Sequence, residues 1–286
     1  MRYESPATTK EAVALLAKEK GDAYVLAGGT DLLVRMKTGF VEPALVVDIK
    51  RIPDMSAIKK TAAGFRIGAA VSGAALGANK DVCKAWPGVV EATNLIGSDQ
   101  IQGRCTMVGN LVNASPAADS VPAMIAAGAK AVVVGKGSRR TVPVEKIVTG
   151  PGSTSLKKGE VIEAITLPKP AKRTGDAYLR FTPRTEMDIA VVGVGISLTL
   201  ERGVVKKARV ALGAVAPTAV LVPAAARALV GSKLDDKALD KLAKACQKAC
   251  NPIDDKRGTA AYRIRVAGVL AKRAAKIAYQ RAGGAA

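Results

Sequence analysis

The chain has 286 residues, enough to bury roughly three-quarters of its unfolded surface with no disulfide or metal staple. Hydrophobic residues make up 49% and charged residues 24%, as in a soluble globular protein, but aromatics are only 3%, so the core must be built from Ala, Val, Leu and Ile. Lysine and arginine number 44 against 24 acids, a net charge of +20, and there is no histidine; imidazole acid–base chemistry and mixed Cys/His metal sites are thereby excluded.

Thr8-Thr9-Lys10-Glu11 fits a capping box, and Ala12, Val13, Leu15 and Leu16 carry a helical stripe to about Lys18. Gly21-Asp22 breaks it. A short strand over 23–27, a turn at Gly28-Gly29, a short helix over 31–37 and a strand over 45–49 complete a small β/α layer, residues 1–55. Residues 56–175 form a second unit. Strands are expected at 65–69, 131–134, 139–144 and 161–167, with helices opening at Ser72, over 89–95 and over 118–127. The polar, proline-containing stretch 169–176 marks a boundary. Residues 176–286 read as strands at 178–182, 190–200 and 204–214, with a hairpin turn at Glu201-Arg202-Gly203, followed by helices over 237–249 and 261–280. Runs of strands followed by helices indicate an α+β domain.

Met1-Arg2-Tyr3-Glu4 lacks an apolar secretory signal, and the mild stretch 211–226 is broken by Pro217 and Pro223, so no membrane span is expected. Cys83, Cys105, Cys246 and Cys250 form no Cys-x-x-Cys. Cys246 and Cys250 share a helix face, either as two small buried residues or as a metal or redox pair. A reducing cytoplasm is the expected location. The positive charge concentrates over 256–281, with eight basic residues and no acid. That segment reads as a solvated face or as a contact for an acidic partner. A basic nucleic-acid module is the alternative, but only Tyr262 and Tyr279 are there to stack on bases.

Two glycine-centred stretches carry the functional signal. The first is Leu26-Ala27-Gly28-Gly29-Thr30-Asp31-Leu32. Its glycines can take positive φ and bring backbone amides close to an anion, and a helix starting at Asp31 adds a favourable dipole. The bland reading is a left-handed turn with no ligand. The second runs from Thr106-Met107-Val108-Gly109-Asn110 to Ser115-Pro116 and Asp119. Thr106 and Asn110 offer side-chain hydrogen bonds. Asp119, ahead of the apolar run from Val121, reads either as an N-cap or as an acceptor for hydroxyls of a ribityl or ribose chain. Paired across about eighty residues, the two stretches point to one extended, phosphate-bearing cofactor. Other nucleotide signatures fail: Gly193-Val194-Gly195 lacks a third glycine, and Gly135-Lys136 has no P-loop spacing. Hard chemistry therefore belongs to a cofactor, and no side chain is assigned a catalytic role.

These residues resemble the FAD-binding medium subunit of the molybdenum hydroxylases, the carbon monoxide dehydrogenase and xanthine dehydrogenase family. The resemblance rests on the first loop, on Ile96-Gly97 with Gln100-Ile101-Gln102, on the second loop to Asp119, and on Arg180-Phe181-x-x-Arg184 with Asp188-Ile189-Ala190. It implies a two-subdomain FAD-binding fold of the vanillyl-alcohol-oxidase type followed by a C-terminal α+β domain. It implies a chain that takes electrons from a small subunit carrying two 2Fe-2S clusters and passes them to an external acceptor. A large subunit with the molybdenum cofactor would hydroxylate the substrate, in a dimer of heterotrimers. By position it implies flavin contacts from Ile96, Gly97, Ile162 and Arg180, and a contact of Asp119 with the flavin's polar chain. Val108 stands where that family usually has glycine, which favours a third reading, a structural subunit that has lost FAD. Arg180 stands where the family often has lysine, keeping the charge and changing the reach. A stand-alone flavin reductase or oxidase is the enzyme alternative.

Overall fold

Thr8 opens the first helix as its sequence dictates. Its side chain accepts from the Glu11 amide, and the Glu11 carboxylate accepts from the Thr8 amide, satisfying donors that the first turn leaves open. The structure, a computed structural model, describes residues 1–185 and 187–285. Strand β1 (Arg2–Glu4) precedes that helix, α1 (Thr9–Lys18); β2 (Ala23–Leu26), α2 (Leu32–Lys37) and β3 (Leu45–Asp48) follow. The three strands are parallel in the order β1-β3-β2. β3, in the middle, is buried along its whole length, as a strand covered on both faces must be. β1 has no sequence signal, because Arg2-Tyr3-Glu4 shows no apolar alternation.

The next stretch supplies β4 (Ile58–Thr61), β5 (Gly64–Gly68), α3 (Gly73–Gly77), α4 (Lys80–Ala85), α5 (Pro87–Asn94), α6 (Asp99–Gln102), α7 (Met107–Val112) and α8 (Ser120–Ala127). It continues with β6 (Lys130–Gly135), β7 (Ser138–Pro143), the small ribbon β8 (Val148–Gly150) and β9 (Ser153–Thr154), and β10 (Val161–Pro168). Five strands make an antiparallel sheet in the order β4-β5-β10-β6-β7. Its core does not stop at residue 55. Val13, Leu16 and Leu45 belong to the same buried cluster as Ile67, Met124 and Ile165. The Thr9 hydroxyl also donates to Glu163 on β10, at 3.0 Å.

A second buried cluster, around Val194, Ile196, Leu212, Leu242 and Ala274, organises the remainder. Here β11 (Thr174–Phe181), β12 (Val192–Glu201), β13 (Val204–Gly213) and β14 (Val220–Leu221) form an antiparallel sheet in chain order. α9 (Pro223–Leu229), α10 (Asp236–Lys248) and α11 (Ala260–Arg281) follow, so the strands-then-helices order holds. Arg202 and Gly203, between β12 and β13, both have positive φ (52° and 80°), the conformation of a two-residue hairpin whose twist matches its strands. The stretch 169–176 is not entirely a linker, since β11 already starts at Thr174. α8 lies between this sheet and the preceding core, with all eight residues buried. A Cβ on Gly195 would come within 2.5 Å of the Pro122 carbonyl oxygen, so glycine lets β12 press directly on α8.

Asp176, on β11, is buried at this junction. One of its oxygens accepts from the Val89 amide at 3.2 Å, and the other finds no partner among the described residues. Burial lifts its carboxyl from 3.8 to about 7, against the amides of Gly88 and Val89 and the nearby Arg281. A raised carboxyl favours the protonated folded state, so its cost develops as pH rises from about 4 and is complete above about 7. Asp176→Asn should therefore stabilise the chain at pH 8 by on the order of 2–4 kcal/mol. The gain should fade as the medium is taken toward pH 4. Urea midpoints at both ends of that range check it; an equal effect at the two pH values would contradict the assignment.

Candidate cofactor site

The first loop leaves the C-terminal end of β2 and turns into α2. Leu26 points into the protein, while residues 27–32 line a cavity of about 460 Å³. The two glycines are there for different reasons. Gly29 has φ +81°, a conformation that costs an L-residue about 1–2 kcal/mol. Gly28 has no positive φ, but a Cβ there would lie 1.8 Å from the Arg104 carbonyl oxygen. It is small because the second loop passes against it. Among the described residues, the amides of residues 28–32 have no acceptor. A run of open N–H groups leading into a helix suits a phosphate group. The loop is also tied down. Lys50 donates to the Ala27 carbonyl at 3.0 Å and to Asp48 at 2.7 Å, and the Tyr3 hydroxyl donates to the same Asp48 oxygen at 2.6 Å. Arg104 reaches back to the Gly28 carbonyl at 3.3 Å.

The second loop is more regular than a turn: its centre is helix α7. Thr106 is the N-cap, its hydroxyl accepting from the Gly109 amide at 2.8 Å. Asn110 likewise works locally, its side-chain oxygen accepting from the Ser120 amide and hydroxyl at 3.1 and 2.7 Å and so capping α8. Both side-chain oxygens therefore accept within the fold, which leaves the Thr106 O–H and the Asn110 NH2 as what these two wall residues can still donate to a ligand. The start of α7 is open as well: the Met107 and Val108 amides have no acceptor among the described residues. Val108 is helical, so valine there strains nothing, and it lines the cavity.

Cavity walls come from both loops and from β10. Ala27, Gly28, Gly29, Thr30, Asp31, Leu32, Ile96, Thr106, Val108, Gly109, Asn110 and Ile162 all line it. A register shift at Glu163 on β10 marks a bulge beside Ile162, and such bulges re-aim side chains. Leu26, Gly97, Ser115, Asp119 and Arg180 are not on the wall. Gly97 supplies a positive-φ turn (70°) packed on Ile101. The Ser115 hydroxyl accepts from the Ala117 amide. Asp119 holds the N-cap position of α8 but makes no cap bond. Its two oxygens accept instead from the Tyr178 hydroxyl at 2.9 Å and from Arg180 at 2.8 Å. Burial pushes its carboxyl up to about 6, opposed by the Arg180 charge and the Tyr178 hydrogen bond.

Sequence reasoning missed Tyr24, Arg35, Cys105, Asn113, Leu156 and Glu160 on the same wall. Arg35 sits over the Tyr24 and Phe40 rings, at 5.9 and 5.2 Å from their centroids; its place one turn into α2 was the available clue. Asn113 donates to Asp31 at 3.2 Å and joins the two loops. Burial raises the Cys105 thiol above its ordinary range, which keeps it protonated and unreactive. Leu156 and Glu160 carry no local motif. Among the described residues no cluster of three or more His, Cys, Asp or Glu side chains could hold a metal, and no helix is long and apolar enough to cross a membrane.

A parallel β/α layer and an antiparallel sheet that bring two loops with open amides to one cavity define a domain for a phosphate-bearing cofactor. Residues 1–170 match the family model described as the FAD binding domain in molybdopterin dehydrogenase, and residues 177–278 match the CO dehydrogenase flavoprotein C-terminal domain. The chain is 34% identical to the carbon monoxide dehydrogenase medium chain of Hydrogenophaga pseudoflava, over 98% of this chain and 97% of that one. It is 28% identical to the xanthine dehydrogenase FAD-binding subunit of Escherichia coli O157:H7, over 99% and 97%. The solved carbon monoxide dehydrogenase of H. pseudoflava that lacks the molybdenum-pyranopterin moiety superposes with a TM-score of 0.94 at 36% identity, covering 98% of each chain. The chain belongs to the FAD-binding medium subunits of the carbon monoxide and xanthine dehydrogenase-type molybdenum hydroxylases.

Proposed function

We propose that the chain holds FAD in the cavity between its two loops and relays electrons from an iron–sulfur partner subunit to an external acceptor. The observation that carries this reading is the pair of open-amide segments, residues 28–32 and Met107-Val108, brought to one cavity that residues 28–32 and Val108 line. They would hold the pyrophosphate. Ile49, Ala69, Ile96, Val108 and Ile162 offer the apolar wall that a flavin ring needs. FAD supplies the chemistry, collecting electrons singly and releasing them in pairs. This chain's residues bind and orient it and keep water from its ring. The resemblance extends the proposal to a large subunit with the molybdenum cofactor, a small subunit with two 2Fe-2S clusters, and a dimer of such heterotrimers in the cytoplasm. Four free cysteines suit that compartment, and the net charge of +20 suits docking to acidic partner subunits.

The test is direct. The purified chain should carry, or take up in equal amount, a yellow chromophore that denaturation releases as FAD, and it should co-purify with two partner subunits from its source. A folded chain that stays colourless with excess FAD would refute the binding reading. Full turnover by the isolated chain with a small reductant and acceptor would instead favour a stand-alone flavin reductase.

A further inference from the structure

Arg180 was expected to face the flavin, yet its guanidinium lies off the cavity, and its side chain is 7% exposed. One nitrogen, Nη1, donates both to the Leu95 carbonyl at 3.0 Å and to Asp119 at 2.8 Å. Leu95 caps the C-terminal end of α5, where carbonyls lack helical partners, and the next residue is Ile96, on the cavity wall. From the other side Gln102 donates to the carbonyls of Thr93 and Ile96, at 3.1 and 2.5 Å. The Ile96 turn is thus pinned twice, by Gln102 of α6 and by the C-terminal domain. Tyr178 and Arg180, two apart on β11, share a strand face and both bind Asp119. Gly193, on the neighbouring strand, leaves room for the Tyr178 hydroxyl, which would lie 2.6 Å from a Cβ there.

We propose that Arg180 is a positioning residue: from the C-terminal domain it fixes the Ile96 turn through the Leu95 carbonyl, with Asp119 and Tyr178 as its anchor. Flavin affinity then depends on a domain that does not line the cavity through these residues. This rests on the reading that the cavity holds FAD.

The experiment uses the full chain, freed of flavin and titrated with FAD, with apoprotein melting followed in parallel. Arg180→Met/Asp119→Asn removes both charges, so no buried ion is left alone, but unties Leu95. FAD should dissociate at least tenfold more readily from it, with a shifted visible spectrum. Gln102→Leu frees the same turn from the other side and should change affinity and spectrum in the same direction. Arg180→Lys keeps a cation of different reach and should recover part of the affinity. A double variant that is folded and binds FAD within twofold of the native chain overturns the proposal. So does a Gln102→Leu protein with native affinity and spectrum. A native chain that binds no FAD overturns the underlying reading as well, and that outcome is seen before any variant is made.

Discussion

Replacing Gly28 with alanine is expected to empty the cofactor cavity while leaving most of the chain folded. The added Cβ would stand 1.8 Å from the Arg104 carbonyl oxygen and 3.2 Å from the Cys105 nitrogen. Neither is a side-chain end that can swing away; both are backbone atoms of the segment that leads into Thr106 and α7. The loops must part by more than an ångström, and overpacking of this kind costs about 1–3 kcal/mol or more. That strain falls where the amides of both loops converge, so bound flavin should drop to about a tenth of the native content or less, each 1.4 kcal/mol being about tenfold in affinity. Visible absorbance per chain measures it, with far-UV circular dichroism as the control for folding. Native flavin content in the Gly28→Ala protein would mean that the loops are not locked together. Gly29→Val acts differently, through its φ of +81°. It should also release flavin, and the C-terminal domain should keep its own cooperative unfolding.

The second large effect concerns stability. Arg263, on α11, is 3% exposed. Its Nη1 donates to the carbonyls of Val191 and Ala214, at 2.9 and 3.3 Å, and its Nη2 donates to Asp255 at 2.7 Å. One side chain therefore ties the ends of β12 and β13 to the segment before α11. Arg263→Met keeps most of the volume and none of the donors. Two buried carbonyls lose this partner, at about 1–3 kcal/mol for each orphaned buried group, while the exposed Asp255 keeps the Arg257 amide at 2.8 Å. The expected loss is about 3 kcal/mol, or roughly 6–12 °C in melting temperature for a chain of this size. Calorimetry measures it. A variant melting within about 2 °C of the native chain would contradict that accounting.

Much of this was readable in the sequence where the cause is local. The Thr8 capping box, the Gly28-Gly29 turn and the two-residue hairpin at Arg202-Gly203 each fix their structure within a few residues. Thr106 shows the limit. Its spacing to Gly109 is that of a helix cap, yet it also fits a ligand donor, and only the fold shows that its oxygen accepts internally while the residue still lines the cavity. Asp119 defeats both of its sequence readings. It neither caps α8 nor lines the cavity, because its partners Tyr178 and Arg180 lie 59 and 61 residues further on. Nothing near Asp119 announces them. The same holds for Lys50, which braces the first loop from 23 residues away. Gly28 is legible as a constrained position, but for an incomplete reason: its neighbour is protein backbone rather than only an anion.

Helix α8 carries a last consequence. By chain order it belongs with the flavin-binding portion, yet all eight of its residues are covered, and β12 of the later sheet presses on it with no side chain between. A gene cut after residue 170 would encode every loop of the cavity and still yield a sticky, aggregation-prone product, because the face of Ser-Val-Pro-Ala-Met-Ile-Ala-Ala that packs on β12 and β13 would meet water. Truncation, fusion and transplantation of the flavin module must therefore carry the whole chain, whatever the boundary between its two sequence halves.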